Sequence, residues 1–300
     1  MRPSYPPTSL RGAEDTAARP SCDYVASFGR VSIFRAADEY RPVVEIQRRE
    51  TYIKPAETEP GTADYPWDDF DSAAYFAENY ATLRPDDRAI VEAVRDFFAA
   101  NLGEGHEGID VGTGTNLYPA LTMLPFCGRL TLLERSHRNR AWLRGEIRDP
   151  RPGWDNFWAV LQDEPRYRKV DGWRHLLTER SELRDGSVFD LEESRWDVGT
   201  LFFVAESISA RRSEFELALS RFVRSLRPGA PFAAAFMENS SGYAVGTIDF
   251  PAVSVSRVDI SDMIAPWAKD LNVREVPPGD SPLRDGYSGM LLATGVFRGI

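Results

Sequence analysis

Cysteine is nearly missing from this chain of 300 residues: Cys22 and Cys127 fall far short of a disulfide framework or a cysteine-based zinc site. The three histidines, His106, His137 and His175, are scattered without the spacing of metal ligands, so no metal is expected. No stretch reaches ~18 uninterrupted apolar residues, and the opening MRPSYPPTSLRGAEDTAARP lacks the apolar core of a secretory signal. A cytoplasmic protein with no membrane partner is the expectation. Positive charge is also short. Against 46 Asp and Glu stand 36 Lys and Arg, a net charge of −10 that repels a phosphate backbone and argues against a nucleic-acid partner. The one dense basic stretch, Arg135 to Arg151, is interrupted by Glu146 and Asp149 and reads as a solvated helix face. What is present suits a sizeable core: 42% of residues are apolar and 12% aromatic, which excludes wholesale disorder.

Residues 1–60 read as a leader carrying a short β-hairpin, with Arg30–Phe34 and Val43–Ile46 as its strands, and the main domain is expected over 61–300. Helices are predicted over 71–83 and 86–102; in the second, Ile90, Val91, Val94, Phe97 and Phe98 recur at helical spacing. From Gly108 the pattern alternates. Strands are predicted at 108–111, 130–133, 187–191, 196–204, 230–237 and 288–297. Helices are predicted from Leu117, over 136–147, within 150–185 and over 215–226, where Arg227-Pro228-Gly229 stops the last. Trp154, Trp158 and Trp173 read as packing residues. Such alternation implies an α/β fold, a mostly parallel sheet covered by helices on both faces.

In an open sheet of this kind ligands bind beyond the carboxyl ends of the strands, beside the first. That edge reads Gly108-Ile109-Asp110-Val111-Gly112-Thr113-Gly114-Thr115-Asn116-Leu117-Tyr118. Gly112 and Gly114 allow a tight turn and close backbone approach. Glu134 ends the next strand, where an acid can accept hydrogen bonds from both hydroxyls of a ribose. Together these features point to an adenosine-containing cofactor. A dinucleotide would call for a third glycine where Leu117 stands, and Asp110 would repel its pyrophosphate. An acid there suits a cationic ligand, the amino group of S-adenosylmethionine (SAM).

At these residues the chain resembles the nicotinamide, phenylethanolamine and thioether methyltransferase group, over roughly residues 67 to 297. Ile109 to Tyr118 is similar to the family's I-D-x-G-[ST]-G-x-x-x-Y block, and Tyr75-Phe76-Ala77-Glu78-Asn79-Tyr80 to its Y-x-x-x-N-Y element. Glu134 and Asn139 match an acid followed five residues later by Asn, and Phe189-Asp190-Leu191 a short adenine-holding block. Phe203-Val204-Ala205-Glu206-Ser207 and Ser240-Ser241-Gly242-Tyr243 resemble substrate-side blocks, with Gly242 where animal members carry an aromatic.

The resemblance implies a seven-stranded class I methyltransferase fold with lid helices at its start, and SAM as cofactor. It implies that Tyr75, Asn79, Tyr80 and Tyr118 enclose the methionine part, beside the cofactor-binding turn of Asp110, Gly112, Thr113 and Gly114. It places Glu134 and Asn139 on the ribose side, Asp190 and Leu191 at the adenine, and Trp67 and Phe70 in the lid. Phe203, Asn239, Ser240 and Asp285 would line the acceptor pocket, and Glu206 and Tyr243 would bind and orient the acceptor. The expected activity is methylation of a small molecule, at the nitrogen of an amine or a pyridine-type ring, without an indispensable base. Three alternatives stay open: breaking another bond of the same sulfonium, binding SAM without turnover, or an NAD-dependent oxidation.

Overall fold

The computed structural model describes residues 59–279 and 286–299. The expected leader strands of residues 30–46, Cys22 and Asp285 lie outside them. The described chain opens with two single 3₁₀ turns, Thr62–Asp64 and Trp67–Asp69, then α1 (Ser72–Asn79) and α2 (Pro85–Asn101). Asp71 starts α1 by accepting the amides of Ala73 and Ala74, and Pro85 starts α2 at a position where no amide proton is needed. Next come β1 (His106–Val111), α3 (Tyr118–Met123), β2 (Cys127–Glu134) and α4 (His137–Arg148). An all-helical stretch, α5 (Trp154–Leu161), α6 (Pro165–Arg168) and α7 (Trp173–Arg180), leads to β3 (Ser181–Asp185), then β4 (Val198–Phe202), α8 (Arg212–Ser225) and β5 (Pro231–Glu238). A hairpin of β6 (Gly242–Val245) and β7 (Ile248–Pro251), then α9 (Arg257–Ile264), β8 (Ala268–Val276) and β9 (Gly289–Phe297), complete it.

Seven strands form one sheet in the order β3-β2-β1-β4-β5-β9-β8, and among the described strands of this sheet β9 alone points opposite to the other six. Because β2 and β4 flank β1 on opposite sides, the chain leaves the middle of the sheet in both directions. That split opens a crevice at the carboxyl ends of β1 and β4. Alternation along β5 sorts the core. Ala233 and Ala235 face a layer with Ile90, Phe98, Leu121 and Phe157, while Phe232, Ala234 and Phe236 face one with Phe215, Phe222 and Ile260. The α/β architecture with both faces covered is as the sequence predicts.

The strand predicted at 187–191 is not one. Val188–Asp190 is a single 3₁₀ turn, and the third strand is β3, Ser-Glu-Leu-Arg-Asp, one element earlier. Among the described strands it sits at the sheet edge, paired with β2 alone, and it is partly exposed, so it carries no apolar alternation to betray it. The strand predicted over 196–204 is shortened to β4, because Phe203 turns off at φ +59°. The β6–β7 hairpin, α9 and β8 lay beyond the sequence reading. No described helix is long and apolar enough to cross a membrane.

Candidate functional site

Above the crevice lies a cavity of about 850 Å³ including its open mouth. Its floor is the turn from β1 to α3. Gly112 at φ +68° and Gly114 at φ +56° put the backbone where side chains are strained. Gly112 is doubly required, since a Cβ there would stand 2.6 Å from Cγ2 of Val204. The amides of Gly112 and Thr113 donate to the carbonyl of Leu133 at 2.7 and 3.2 Å, and the amide of Gly114 donates to Oε2 of Glu134 at 2.8 Å. The other oxygen of Glu134 accepts the amide of Ser136 at 2.6 Å. One carboxylate therefore clamps the glycine turn to the start of α4. Burial pushes the Glu134 carboxyl up, against the pull of the Ser136 and Gly114 amides and of Arg140.

Polar capacity is left over beside this turn. Asp110 accepts the Thr200 hydroxyl on Oδ1 at 2.7 Å, while its Oδ2 is buried with no hydrogen bond among the described residues. Burial raises this carboxyl to about 7; the Thr200 and Thr113 hydroxyls oppose the shift and Glu134 adds to it. Oγ1 of Thr115 and Nδ2 of Asn116, both in residues of the cavity wall, are likewise buried without partners among the described residues. Buried polar atoms are rarely left this way.

The roof is aromatic. Residues 59–70 form a strap that lines the cavity through Thr62, Trp67 and Phe70, with Trp67 and Phe70 packed 4.9 and 5.2 Å from the ring of Phe250 on β7. Phe70 meets Tyr75 of α1 at 5.1 Å, Tyr75 meets Tyr243 of β6 at 6.0 Å, and Tyr243 stacks on Phe250 at 5.5 Å. The Tyr243 hydroxyl approaches the carbonyl of Ser207 at 3.5 Å. Phe203 completes the wall from a left-handed backbone conformation that costs a bulky residue about 1–3 kcal/mol, held by its amide on the carbonyl of Ala235 at 2.7 Å.

Nine of the expected site residues share the cavity wall: Tyr75, Tyr80, Gly112, Thr113, Gly114, Glu134, Asn139, Phe203 and Tyr243. Asn139 accepts the Ser72 hydroxyl at 2.8 Å, tying α1 to α4. The others stand elsewhere. Asp110 lies beneath the turn. Asn79 folds back onto the carbonyl of Tyr75 at 2.9 Å, a bond within its own helix. Tyr118 is fully buried, stacked on Phe157 at 5.4 Å and edge-on to Phe202, because α3 points it into the core. Asp190 is exposed and Leu191 buried in the core, since their segment is a turn; Gly186, Ser187 and Val188 face the cavity instead.

Glu206 is the largest departure. Once Phe203 redirects the chain, this carboxylate is fully buried, and Oε1 accepts the Met237 amide at 3.0 Å and the Ser207 hydroxyl at 3.2 Å. It braces β5 against the loop after β4 and does not line the cavity. Asn239, at φ +57°, is exposed and donates to Oγ of Ser288, while Ser240 is buried beside the carbonyl of Gly242; neither is on the wall. Thr62, Thr115, Asn116, Ser136, Ser187 and Ile208 line it without having been singled out in the sequence. Thr115 and Asn116 were within reach of sequence reading, being part of the glycine turn; the others arrive from distant segments.

No family model matches the sequence, and no curated protein matches it. Among solved structures, the chain is similar to a SAM-dependent methyltransferase from Methanosarcina mazei, with 12% identity and a TM-score of 0.48 over 73% of this chain and 99% of that one. It is similar to the N-methyltransferase NodS from Bradyrhizobium japonicum in complex with S-adenosyl-L-homocysteine, at 12% and 0.44 over 76% and 99%. A third is 1,6-didemethyltoxoflavin-N1-methyltransferase from Burkholderia thailandensis, at 16% and 0.43 over 70% and 79%. Overlaps of this size carry no argument about what the chain does.

Proposed function

We propose that the chain is a class I SAM-dependent methyltransferase acting on a small, neutral acceptor, at a nitrogen that carries its own lone pair. The observation that carries this reading is the glycine turn clamped by Glu134 beneath a cavity whose wall, among the described residues, holds one cationic side chain, the exposed Arg135. A pyrophosphate would need more positive charge than that, while an adenosine cofactor without phosphates needs hydrogen-bonding groups and flat apolar walls. The unpartnered Oγ1 of Thr115 and Nδ2 of Asn116, in two residues of the wall, supply such groups, and Asp110 lies just beneath the turn.

In this reading Glu134 and Asn139 hold the ribose side and Gly186 to Val188 the adenine side. Tyr75, Tyr80 and Thr113 to Asn116 hold the amino-acid side. Bound there, SAM supplies a methyl group on a sulfonium, electrophilic enough to need little acid–base help. The chain's part is to keep water out and set the angle of approach. Trp67, Phe70, Phe203, Ser207, Ile208 and Tyr243 bound the other half of the cavity, and no Asp, Glu, His or Lys stands among them. Positioning can contribute about 7–11 kcal/mol, more than the ~10²- to 10⁴-fold of a general base, so a wall without a base is adequate. Burying a protonated amine in such a wall would cost more than a neutral nitrogen.

Calorimetry with SAM and with S-adenosylhomocysteine tests the cofactor: both are expected to bind, and NAD is not. Incubation with SAM and a panel of neutral heteroaromatic and amine acceptors is then expected to release S-adenosylhomocysteine. Methylthioadenosine as the product would replace methyl transfer with cleavage of another bond. Failure to bind either adenosyl ligand would end the proposal.

A further inference from the structure

The strap over the cavity is fastened at two places, and the first is built from residues with no part in the glycine turn. Thr62 presents both its amide and its hydroxyl to Oε2 of Glu214, at 2.8 and 2.6 Å, across 152 residues of sequence. Glu214 lies in the first turn of α8. Its neighbour Arg211 donates through Nε to the carbonyl of Glu59 at 2.6 Å and pairs with Asp64 at 3.4 Å. Thr62 in turn accepts the indole N–H of Trp67 at 2.8 Å. Glu214 thereby sets, through Thr62, two residues of the cavity wall.

Gly61 bears on the same contact. Its φ is −94°, which any residue adopts, yet a Cβ there would collide with Oε1 of Glu214 and stand 2.7 Å from Nη1 of Arg211. Both atoms are the ends of flexible side chains, so a methyl group at 61 would push the Glu214 and Arg211 tips aside from their present contacts and leave the backbone unstrained. The second fastening is at the far end: the Ser136 hydroxyl donates to the carbonyl of Trp67, and the His137 amide donates to the Asp68 carboxylate, both at 2.7 Å. Beyond it α1 is held firmly, with Phe76 5.5 Å from both Trp142 and Trp154 and the Arg151 guanidinium 5.2 Å above its ring. Residues 59–66 therefore lie between a polar latch on α8 and a rigid anchor at α4.

We propose that Glu214, admitted by Gly61, is the positioning residue that latches the strap closed, and that ligands of the cavity enter and leave by its release. The latch itself is independent of which ligand the cavity takes; the part that names S-adenosylhomocysteine as the ligand released rests on the function proposed above. Two unlike perturbations act on one contact. Glu214→Ala removes the acceptor, and Gly61→Ala leaves every charge in place while pushing the Glu214 and Arg211 side-chain ends out of their contacts with the strap. Glu214→Gln, which keeps one acceptor oxygen, is expected to fall between wild type and Glu214→Ala. Glu216→Ala, on the same helix but paired with Arg212, is the control.

Hydrogen exchange on the unliganded full chain is the first readout. Peptides covering 59–70 are expected to exchange about tenfold faster in both variants, as befits loss of a charge-assisted hydrogen bond, with peptides of β1 and β4 unchanged. Dissociation of S-adenosylhomocysteine is the second, expected to accelerate severalfold in both. Unchanged exchange in the strap, or equal acceleration throughout the chain, overturns the latch. Faster strap exchange with an unchanged dissociation rate overturns its role as a gate. If wild type does not bind S-adenosylhomocysteine, the proposed function fails while the exchange comparison still decides the latch.

Discussion

Gly112 and Gly114 flank the same turn, yet substitution should separate them sharply. At Gly112 an alanine meets two costs. A left-handed backbone at φ +68° costs an L-residue about 1–2 kcal/mol, and the added methyl lands 2.6 Å from Cγ2 and 2.8 Å from Cγ1 of Val204, an overpacking cost of about 1–3 kcal/mol. Gly112→Ala should therefore destabilise by about 2–5 kcal/mol and lower the melting temperature by on the order of 10 °C. At Gly114 the backbone cost is similar at φ +56°, but the nearest atom to a new Cβ is 3.7 Å away. Gly114→Ala should cost only about 1–2 kcal/mol. Val204→Ala removes both clashing methyls, so the double variant Gly112→Ala/Val204→Ala should show a favourable coupling of about 1–3 kcal/mol between the sites. Urea unfolding of the four chains supplies the cycle, and titration with S-adenosylhomocysteine shows whether binding recovers with stability. Equal damage at 112 and 114, or additivity with Val204→Ala, would refute the claim that the turn is shaped by contact with the loop after β4.

Asp87 offers a pH test. Its carboxyl is buried in the first turn of α2, and burial, reinforced by Asp86, raises it to about 8, with the Tyr118 hydroxyl and Arg84 opposing. The native state thus holds a proton that the unfolded chain has released, so this residue's contribution to stability is lost as pH rises from about 4 to about 8. Asp87→Asn should accordingly raise the melting temperature more at pH 8 than at pH 5; an equal change at both would refute the assignment. Glu206→Ala should destabilise by about 1–3 kcal/mol, because the Met237 amide and Ser207 hydroxyl lose their acceptor. In chemical denaturation that loss should dominate, with affinity for S-adenosylhomocysteine in the surviving folded protein within a few fold of wild type; a selective loss of binding at unchanged stability would return Glu206 to the site.

Where a residue's role follows from its neighbours in sequence, the sequence alone was enough. The alternation from Gly108 onward is imposed by burial on both sides of a sheet, so the α/β class and most strands were legible, and the turn at Gly112 to Gly114 with Glu134 one strand later picked out residues that line the cavity. Edge strand β3 was not legible, because exposure frees it from apolar pattern. Orientation was not legible either. Tyr118 follows the turn directly yet points into the core, and Glu206 ends an apolar run yet turns beneath the cavity, because Phe203 at φ +59° breaks the alternation that would have aimed it. Trp67, Phe70 and Tyr243 were reached only through the family resemblance, and Thr62 and Phe250 not at all: they come together only when the strap, α8 and the hairpin pack, and contacts across some 150 residues leave no local period to read.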